Sequence, residues 1–426
     1  MTAEIGVMNT IGIALAADSA VTIGKNKIFN TADKLFSLSK NRPVGIMIYG
    51  SAGFMGVPWE TVIKLYRKEL DSKLHDQGFD TIQDYCDDFI NYLEKEERFK
   101  NSEYEKTMVY AKFSSFFSDF LAGINEVIAE VFNTVEPEGY NVQHILFAEA
   151  NYYARTFYEQ EFAKGFDENY YGTFFDEFNN EILEAVDDMV NIDVDQETFN
   201  LLLTIAASII SKHVHTDHDT GVVIAGFGEM DIFPSLRSYV VEGYFSGVLK
   251  YEKAKQIDID AINTAAIVPF AQQEMVHSFL TGIDPKLKNE VSNFIHAIVH
   301  TYPEIIESLG ESEETLSIEA KRGLLEIGSQ ISNEFIEQLE EIIQNKYTSP
   351  VINTVSSLPK EELAAMAEAL VNLTSIKRKM SNETETVGGP IDVAVISKGD
   401  GFIWIKRKHY FSPDLNHNYF QNYLKR

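Results

Sequence analysis

Two hydrophobic periods alternate along this chain, and their order restricts the fold more than any other feature. Apolar residues recur at every second position near the start, the middle and the end, and at every third or fourth position in two long stretches between. The first period belongs to strands and the second to helices. In residues 3 to 17, Ile5 and Val7, then Ile11, Ile13, Leu15 and Ala17, keep a period of two around Asn9, which predicts a β-hairpin. A turn at Met8 and Asn9 makes antiparallel partners sum to about 20. One face then carries Ile5, Val7, Ile11, Ile13, Leu15 and Ala17. The other carries Thr2, Glu4, Gly6, Gly12, Ala14, Ala16 and Asp18, with Thr2 across from Asp18.

A second hairpin is expected from KLFSLS and VGIMIYG around KNRP, where Asn41 and Pro43 supply turn chemistry. Pro58 then suits a first helical residue, and Trp59, Val62, Ile63, Tyr66 and Leu70 follow at helical spacing. Residues 76–217 read as all-helical, with Phe113, Phe116, Phe117, Phe120, Leu121, Ile124, Val127, Ile128 and Val131 spaced by threes and fours. Aromatic clusters in NYYARTFY and NYYGTFFDEF suit either a packed core or a ligand groove. Strands return at GVVIAGFG and SLRSYVVEG, with Gly243 as a turn, and a helix is expected around Phe270 to Leu280.

Residues 286–357 are again helical and acidic. Leu324, Ile327, Ile331, Phe335, Leu339 and Ile342 serve there as a packing layer or an oligomer contact. LPKEELAAMAEALVNL starts a helix at Pro359, and GGPIDVAVIS and GFIWIKRKHY flank the hairpin signal KGDG. The pattern predicts one sheet domain interrupted twice. Its core is 1–75, 218–285 and 358–412, with helical insertions at 76–217 and 286–357 and a tail at 413–426.

The 426 residues are 45% hydrophobic, enough for a large core and two or three structural units. Lys and Arg number 36 against 65 Asp and Glu, so 36 − 65 = −29, which opposes nucleic acid and anionic lipid as partners. Cys86 is the single cysteine, so no internal disulfide forms, and YCDDF reads as a structural thiol. The first twenty residues lack a basic leader, and the longest apolar run, Leu201 to Ile210, is half a membrane span. A cytoplasmic protein with no membrane contact is expected.

Chemistry concentrates near the start. A threonine at a free N-terminus can use its own α-amine as general base, and removal of Met1 would make Thr2 that terminus. A cation that depresses the α-amine pKa increases its proton-accepting form, and Lys34 is the candidate, held by Asp18. Gly50, at a strand end, would offer its amide to the developing oxyanion. Asp18 and Lys34 also suit a structural ion pair, and Gly50 a plain turn.

TAEIGVMNTIGIALAADSAVTIG, TADKLFSLS and YGSAGF resemble the opening of proteasome β-subunits and the HslV peptidase, without gaps as far as Lys34. The aspartate of AADS and the lysine of ADKL fall at that family's spacing for its catalytic pair. The resemblance implies an α+β fold of the N-terminal-nucleophile hydrolase type, a four-layer αββα sandwich of two stacked, mostly antiparallel sheets flanked by helices, here with added helical insertions. It implies a threonine peptidase acting through an acyl-enzyme on Thr2, with Gly50, or alternatively Gly53, in the oxyanion role. It also implies no cofactor, peptide or unfolded-protein substrates, assembly into homo-oligomers and room for an ATP-dependent unfoldase partner. Val21, Ala32, Ile48 and Ala52 match the family's main side-chain pocket, which here lacks an acidic group and so suits uncharged residues before the cut bond.

Later similarity is looser, and the two helical blocks have no counterpart. The family's Ser-Gly pair is replaced by AAIVPFAQ, and the aspartate and serine before its late Gly-Gly by SNETETV. Val387 stands in the serine position, with Thr384, Glu385 and Thr386 as candidate substitutes. His213, His215, Asp217, His218 and Asp219 could ligate a divalent metal but read better as a solvated loop, so no metal is assigned. An amidase acting on a small amide and a catalytically silent scaffold are the competing functions.

Overall fold

In a computed structural model the chain is described over residues 2–23, 27–74, 77–134, 142–190, 193–214, 219–309, 317–380 and 387–424. It is α+β, with antiparallel strand pairs and many helices. The strands and helices run β1 (Ala3–Asn9), β2 (Gly12–Ala17), β3 (Val21–Ile23), β4 (Lys27–Phe29), β5 (Leu35–Ser37), β6 (Val44–Gly50), the short β7 (Gly53–Phe54) and β8 (Val57–Pro58), then α1 (Trp59–Lys73) and α2 (Ile82–Lys95). Next come α3 (Ser102–Thr134), α4 (Val142–Tyr158), α5 (Tyr170–Met189), α6 (Gln196–Ser211), β9 (Thr220–Gly226), β10 (Ser235–Phe245), β11 (Val248–Asp258) and β12 (Ala265–Ala271). The chain continues with α7 (Glu274–Thr281), α8 (Pro285–Leu309), α9 (Ile318–Ile343), α10 (Ser349–Val355), α11 (Lys360–Met380), β13 (Asp392–Ser397), β14 (Gly401–Lys406) and α12 (His417–Leu424). Two compact units result: Met1–Thr31, Ile259–Val395 and Trp404–Arg426 form the first, and Ala32–Asp258 with Ile396–Ile403 the second.

A five-stranded sheet in the order β12-β1-β2-β13-β14 centres on the opening hairpin. Its register corrects the sequence expectation by one residue: Glu4 pairs with Ala17, Val7 with Ala14 and Asn9 with Gly12. Asn9 sets the turn. Its Oδ1 accepts from the Ile11 amide at 2.9 Å, while its Nδ2 donates to the Val355 and Leu358 carbonyls, each at 2.9 Å. Thr10 and Ile11 therefore form the loop, and Ile11 is exposed rather than part of the apolar face. A slip of one residue exchanges faces. Ile5 and Val7 accordingly share a face with Ala14 and Ala16, against Val276, Leu280, Leu363, Ala364 and Ala367. The small alanines on β2 and α11 allow that helix to lie close to the sheet. β12, with Pro269, occupies the sheet edge, where a missing N–H is tolerated. It also corrects the expected helix at Phe270: that residue is in the strand, and α7 starts at Glu274.

The second unit holds a sheet in the order β11-β10-β9-β6-β5, with the expected β5–β6 hairpin pairing Phe36 with Ile46. α1 buries Trp59, Val62, Ile63, Tyr66 and Leu70, the five positions expected from spacing, in a core with β-strand residues such as Val222 and Ile224. Gly243 is not a turn. It lies within β10 at a bulge with φ 151°, and the β10–β11 turn is formed by Ser246 and Gly247, both at positive φ. Much of the aromatic clusters is core, since Tyr153 packs on Phe116 and Phe120, and Phe174 and Phe178 are buried among α3, α4, α5 and α6, whereas Tyr152 and Tyr158 are exposed. Among the described residues no helix is long and apolar enough to cross a membrane.

Candidate active site

Thr2 precedes β1 and is 3% exposed, and its carbonyl accepts the Gln272 amide at 3.4 Å. Its buried hydroxyl oxygen has no hydrogen-bond partner among the described residues. Burying a hydroxyl without a partner costs about 1–3 kcal/mol. Such a group in a native fold calls for an explanation, and a nucleophile awaiting substrate is one.

Asp18, 1% exposed, follows β2 and stands opposite Ala3, not Thr2, because of the register correction: its amide donates to the Ala3 carbonyl at 3.1 Å. Its carboxylate accepts three backbone N–H groups, from Ala3 at 3.2 Å, Ala20 at 3.3 Å and Gly388 at 2.9 Å. The first of these is the amide immediately after Thr2. The third brings the late Gly-Gly segment to Asp18, and Ser19 secures it further by donating its hydroxyl to the Pro390 carbonyl and its amide N–H to the Gly388 carbonyl. Gly389 needs to be glycine, with φ 79° and a would-be Cβ 2.7 Å from the Asn30 side chain.

Two features beside Thr2 carry no sequence signal of their own. Ala271, paired with Ala3, adopts φ 55°, an uncommon conformation for a residue with a Cβ. The adjoining Gln272 accepts Arg378 Nε from α11 at 2.6 Å. Both lie where AAIVPFAQ replaces the expected Ser-Gly. Val387 is fully buried in the first unit's core, while Thr384, Glu385 and Thr386 lie outside the described residues.

The other candidates belong to the second unit. Lys34, 5% exposed, leads into β5, and its carbonyl accepts Ile48 N–H at 2.9 Å. Gly50 ends β6 at φ 84°, and a Cβ there would lie 2.3 Å from the Asp219 carbonyl oxygen. No other residue type fits that backbone approach. Gly53 has an ordinary φ and exchanges contacts with the Ser51 hydroxyl.

The strand start behind Gly50 is gripped from two helices. Trp59 Nε1 donates to Thr220 Oγ1 at 3.1 Å, and Lys112 of α3, 1% exposed, meets Asp219 at 2.5 Å and Glu242 at 2.8 Å. Glu242 also meets Lys250 at 2.8 Å. Burial works against the Lys112 ammonium, but Glu242 and Asp219 outweigh it and hold its pKa above the ordinary value. Lys250, also buried, is pushed below its ordinary value by desolvation.

Of the pocket candidates, Val21 is half-buried in the first unit. In the second, Ala32 is half-buried, Ile48 lies in the core and Ala52 is exposed, its carbonyl accepting Trp59 N–H at 3.1 Å. In the histidine segment, His215, Asp217 and His218 lie outside the described residues, and His213 Nδ1 contacts Glu252 at 3.0 Å. Among the described residues no group of three His, Cys, Asp or Glu could hold a metal ion. Cys86 is fully buried, and burial pushes its thiol up to about 12.

No protein-family model matches the chain, and no curated protein does. Its structure is similar to solved structures of Anbu (ancestral beta-subunit). For that of Yersinia bercovieri the TM-score is 0.29 at 10% identity, covering 99% of this chain and 95% of the other. For the helical assembly of the Anbu complex from Pseudomonas aeruginosa it is 0.31 at 9%, covering 99% and 94%. For a Gly-1 mutant from Hyphomicrobium sp. strain MC1 it is 0.25 at 9%, covering 100% and 95%. These findings correct the resemblance drawn from the opening residues: the similar structures are Anbu proteins rather than proteasome β-subunits or HslV.

Proposed function

We propose that the chain is a threonine-type N-terminal-nucleophile hydrolase that cleaves peptide bonds, with Thr2 as nucleophile once the residue before it is removed. The observation that carries this reading is the buried Thr2 hydroxyl, without a hydrogen-bond partner among the described residues, beside an aspartate fixed by three backbone donors.

Thr2 Oγ attacks the substrate carbonyl carbon and its proton passes to the α-amine. The amine returns that proton to the leaving amine as the C–N bond breaks, forming a threonyl ester. Water, deprotonated by the same amine, then attacks the ester, and the amine returns that proton to Thr2 Oγ as the ester C–O bond breaks and the acid is released. Asp18, through the amide of Ala3, fixes the direction in which the chain leaves Thr2. We assign Lys34 the cationic role from its sequence spacing to Thr2 and Asp18, and the Gly50 amide the oxyanion role. We assign Val21, Ala32, Ile48 and Ala52 the substrate-pocket role from their sequence positions alone, and since none of them carries a charge, uncharged residues before the cut bond are favoured.

A fluorogenic peptide panel tests this. Wild type is expected to cleave after uncharged residues and Thr2→Ala to lose activity by about 10³-fold or more, as loss of a nucleophile does. Equal activity in the two proteins contradicts the nucleophile, and equal cleavage after Arg contradicts the pocket.

A further inference from the structure

We propose that one flank of the α8–α9 hairpin is a self-association surface whose occupant is the same flank of a second copy of this chain. The two helices run antiparallel in close register. Lys288 meets Glu340 at 2.9 Å, His296 Nδ1 and Ser332 Oγ are 3.1 Å apart, and a Cβ on Gly328 would come within 2.5 Å of Val299. Contact of this kind explains the side chains turned inward. It does not explain those turned out.

On α8, Phe294 is 67%, Ile298 48% and Tyr302 52% exposed; on α9, Ile327 is 57%, Ile331 60% and Phe335 44% exposed. Each trio steps by four residues, so each forms one stripe along its helix. With about 100° per residue, both stripes lie roughly a quarter to a third of a turn from the line of contact between the helices. Because the helices are antiparallel, these rotations bring both stripes to the same flank, with Ile298 beside Ile331 and Tyr302 beside Ile327.

The six residues leave on the order of 700 Å² exposed per copy, near the ~800 Å² per partner of a stable interface. That exceeds the largest apolar patch usual for a monomer, roughly 300–600 Å². The charge excludes the other obvious occupants: a chain of net charge −29 is repelled by anionic lipid and nucleic acid. The shape favours a second copy. Two stripes on helices of 25 and 26 residues can be related by a two-fold axis that lays the α8 stripe of one copy on the α9 stripe of the other. Such a contact is isologous and closed, and produces a four-helix arrangement. High negative charge opposes the approach, so added salt should strengthen it.

The test is the mass of the full-length protein by light scattering over a hundred-fold concentration range, with circular dichroism as a check on folding. Wild type is expected at twice the 48.2 kDa chain, or at a multiple of that pair. Ile298→Lys and Ile331→Glu should each halve the mass, raising the dissociation constant at least 100-fold while leaving the helical signal unchanged. Mixing the two variants should restore the pair, because Lys on the α8 stripe then faces Glu on the α9 stripe. A wild-type monomer throughout the range, folded variants that keep the wild-type mass, or a monomer that instead floats with phosphatidylcholine vesicles overturns the proposal.

Discussion

Replacing Lys112 by Met tests whether the buried charge cluster behind Gly50 holds the second unit together. Lys112 is 1% exposed and is the cation between Asp219 and Glu242. Met keeps most of the volume and removes the charge. Deleting one partner of a buried ion pair costs about 3–5 kcal/mol, because the other is left buried and uncompensated. Glu242 retains Lys250 and so keeps a cation after the substitution. The expected cost is then near the lower end, about 3 kcal/mol.

For a unit of this size each kcal/mol moves the melting temperature by about 2–4 °C, so a fall of roughly 6–12 °C is expected by scanning calorimetry at pH 7. The pH dependence gives a second handle. Lys112 has a raised pKa in the folded protein, so its contribution is fully present below the unfolded value of 10.5 and is lost as pH rises through the folded value. The gap between wild type and variant should be constant from pH 7 to 9 and close at higher pH. A fall under 2 °C at pH 7, or a gap that widens with alkali, would show that the Lys112 charge does not stabilise the unit.

Gly50→Ala places a Cβ 2.3 Å from the Asp219 carbonyl at φ 84°, so it should cost about 2–4 kcal/mol and abolish peptide cleavage, whereas Gly53→Ala, at an ordinary φ, should keep both within a few-fold. Calorimetry and the peptide panel read the two variants, and equal effects would remove Gly50's special place. Cys86, whose burial pushes its thiol up to about 12, should resist iodoacetamide in native protein at pH 8 and take up one equivalent per chain in denaturant. Rapid native alkylation by mass spectrometry would contradict that burial.

Local patterns were readable in the sequence where one physical signal dominated. Pro58 followed by apolar residues at helical spacing located α1, and KGDG located the β13–β14 hairpin. The opening hairpin was recognisable as such, but its register was not. β1 and β2 are buried along their whole length, so hydrophobic alternation does not distinguish their faces, and a side-chain contact from Asn9 decides the turn. Gly243 invites reading as a turn, although Ser246, a residue with no glycine-like freedom, takes that role beside Gly247.

At the candidate site, spacing singled out Thr2 and Asp18. It could not show that one of the amides binding Asp18 belongs to Gly388, 370 residues away, or that Arg378 reaches Gln272 beside Thr2. Such contacts depend on strand order and on α11 lying against the sheet, and neither is written in local sequence.

Whether Thr2 is the nucleophile is tested by the site and form of the adduct left by a peptide epoxyketone, mapped by mass spectrometry. That probe closes a ring only on a residue carrying both a nucleophilic hydroxyl and a free α-amine. One adduct per chain is expected, on a Thr2 that has lost Met1 and has both groups consumed, with none on Thr2→Ala. An N-terminal peptide that retains Met1, or an adduct on any other residue, would contradict it.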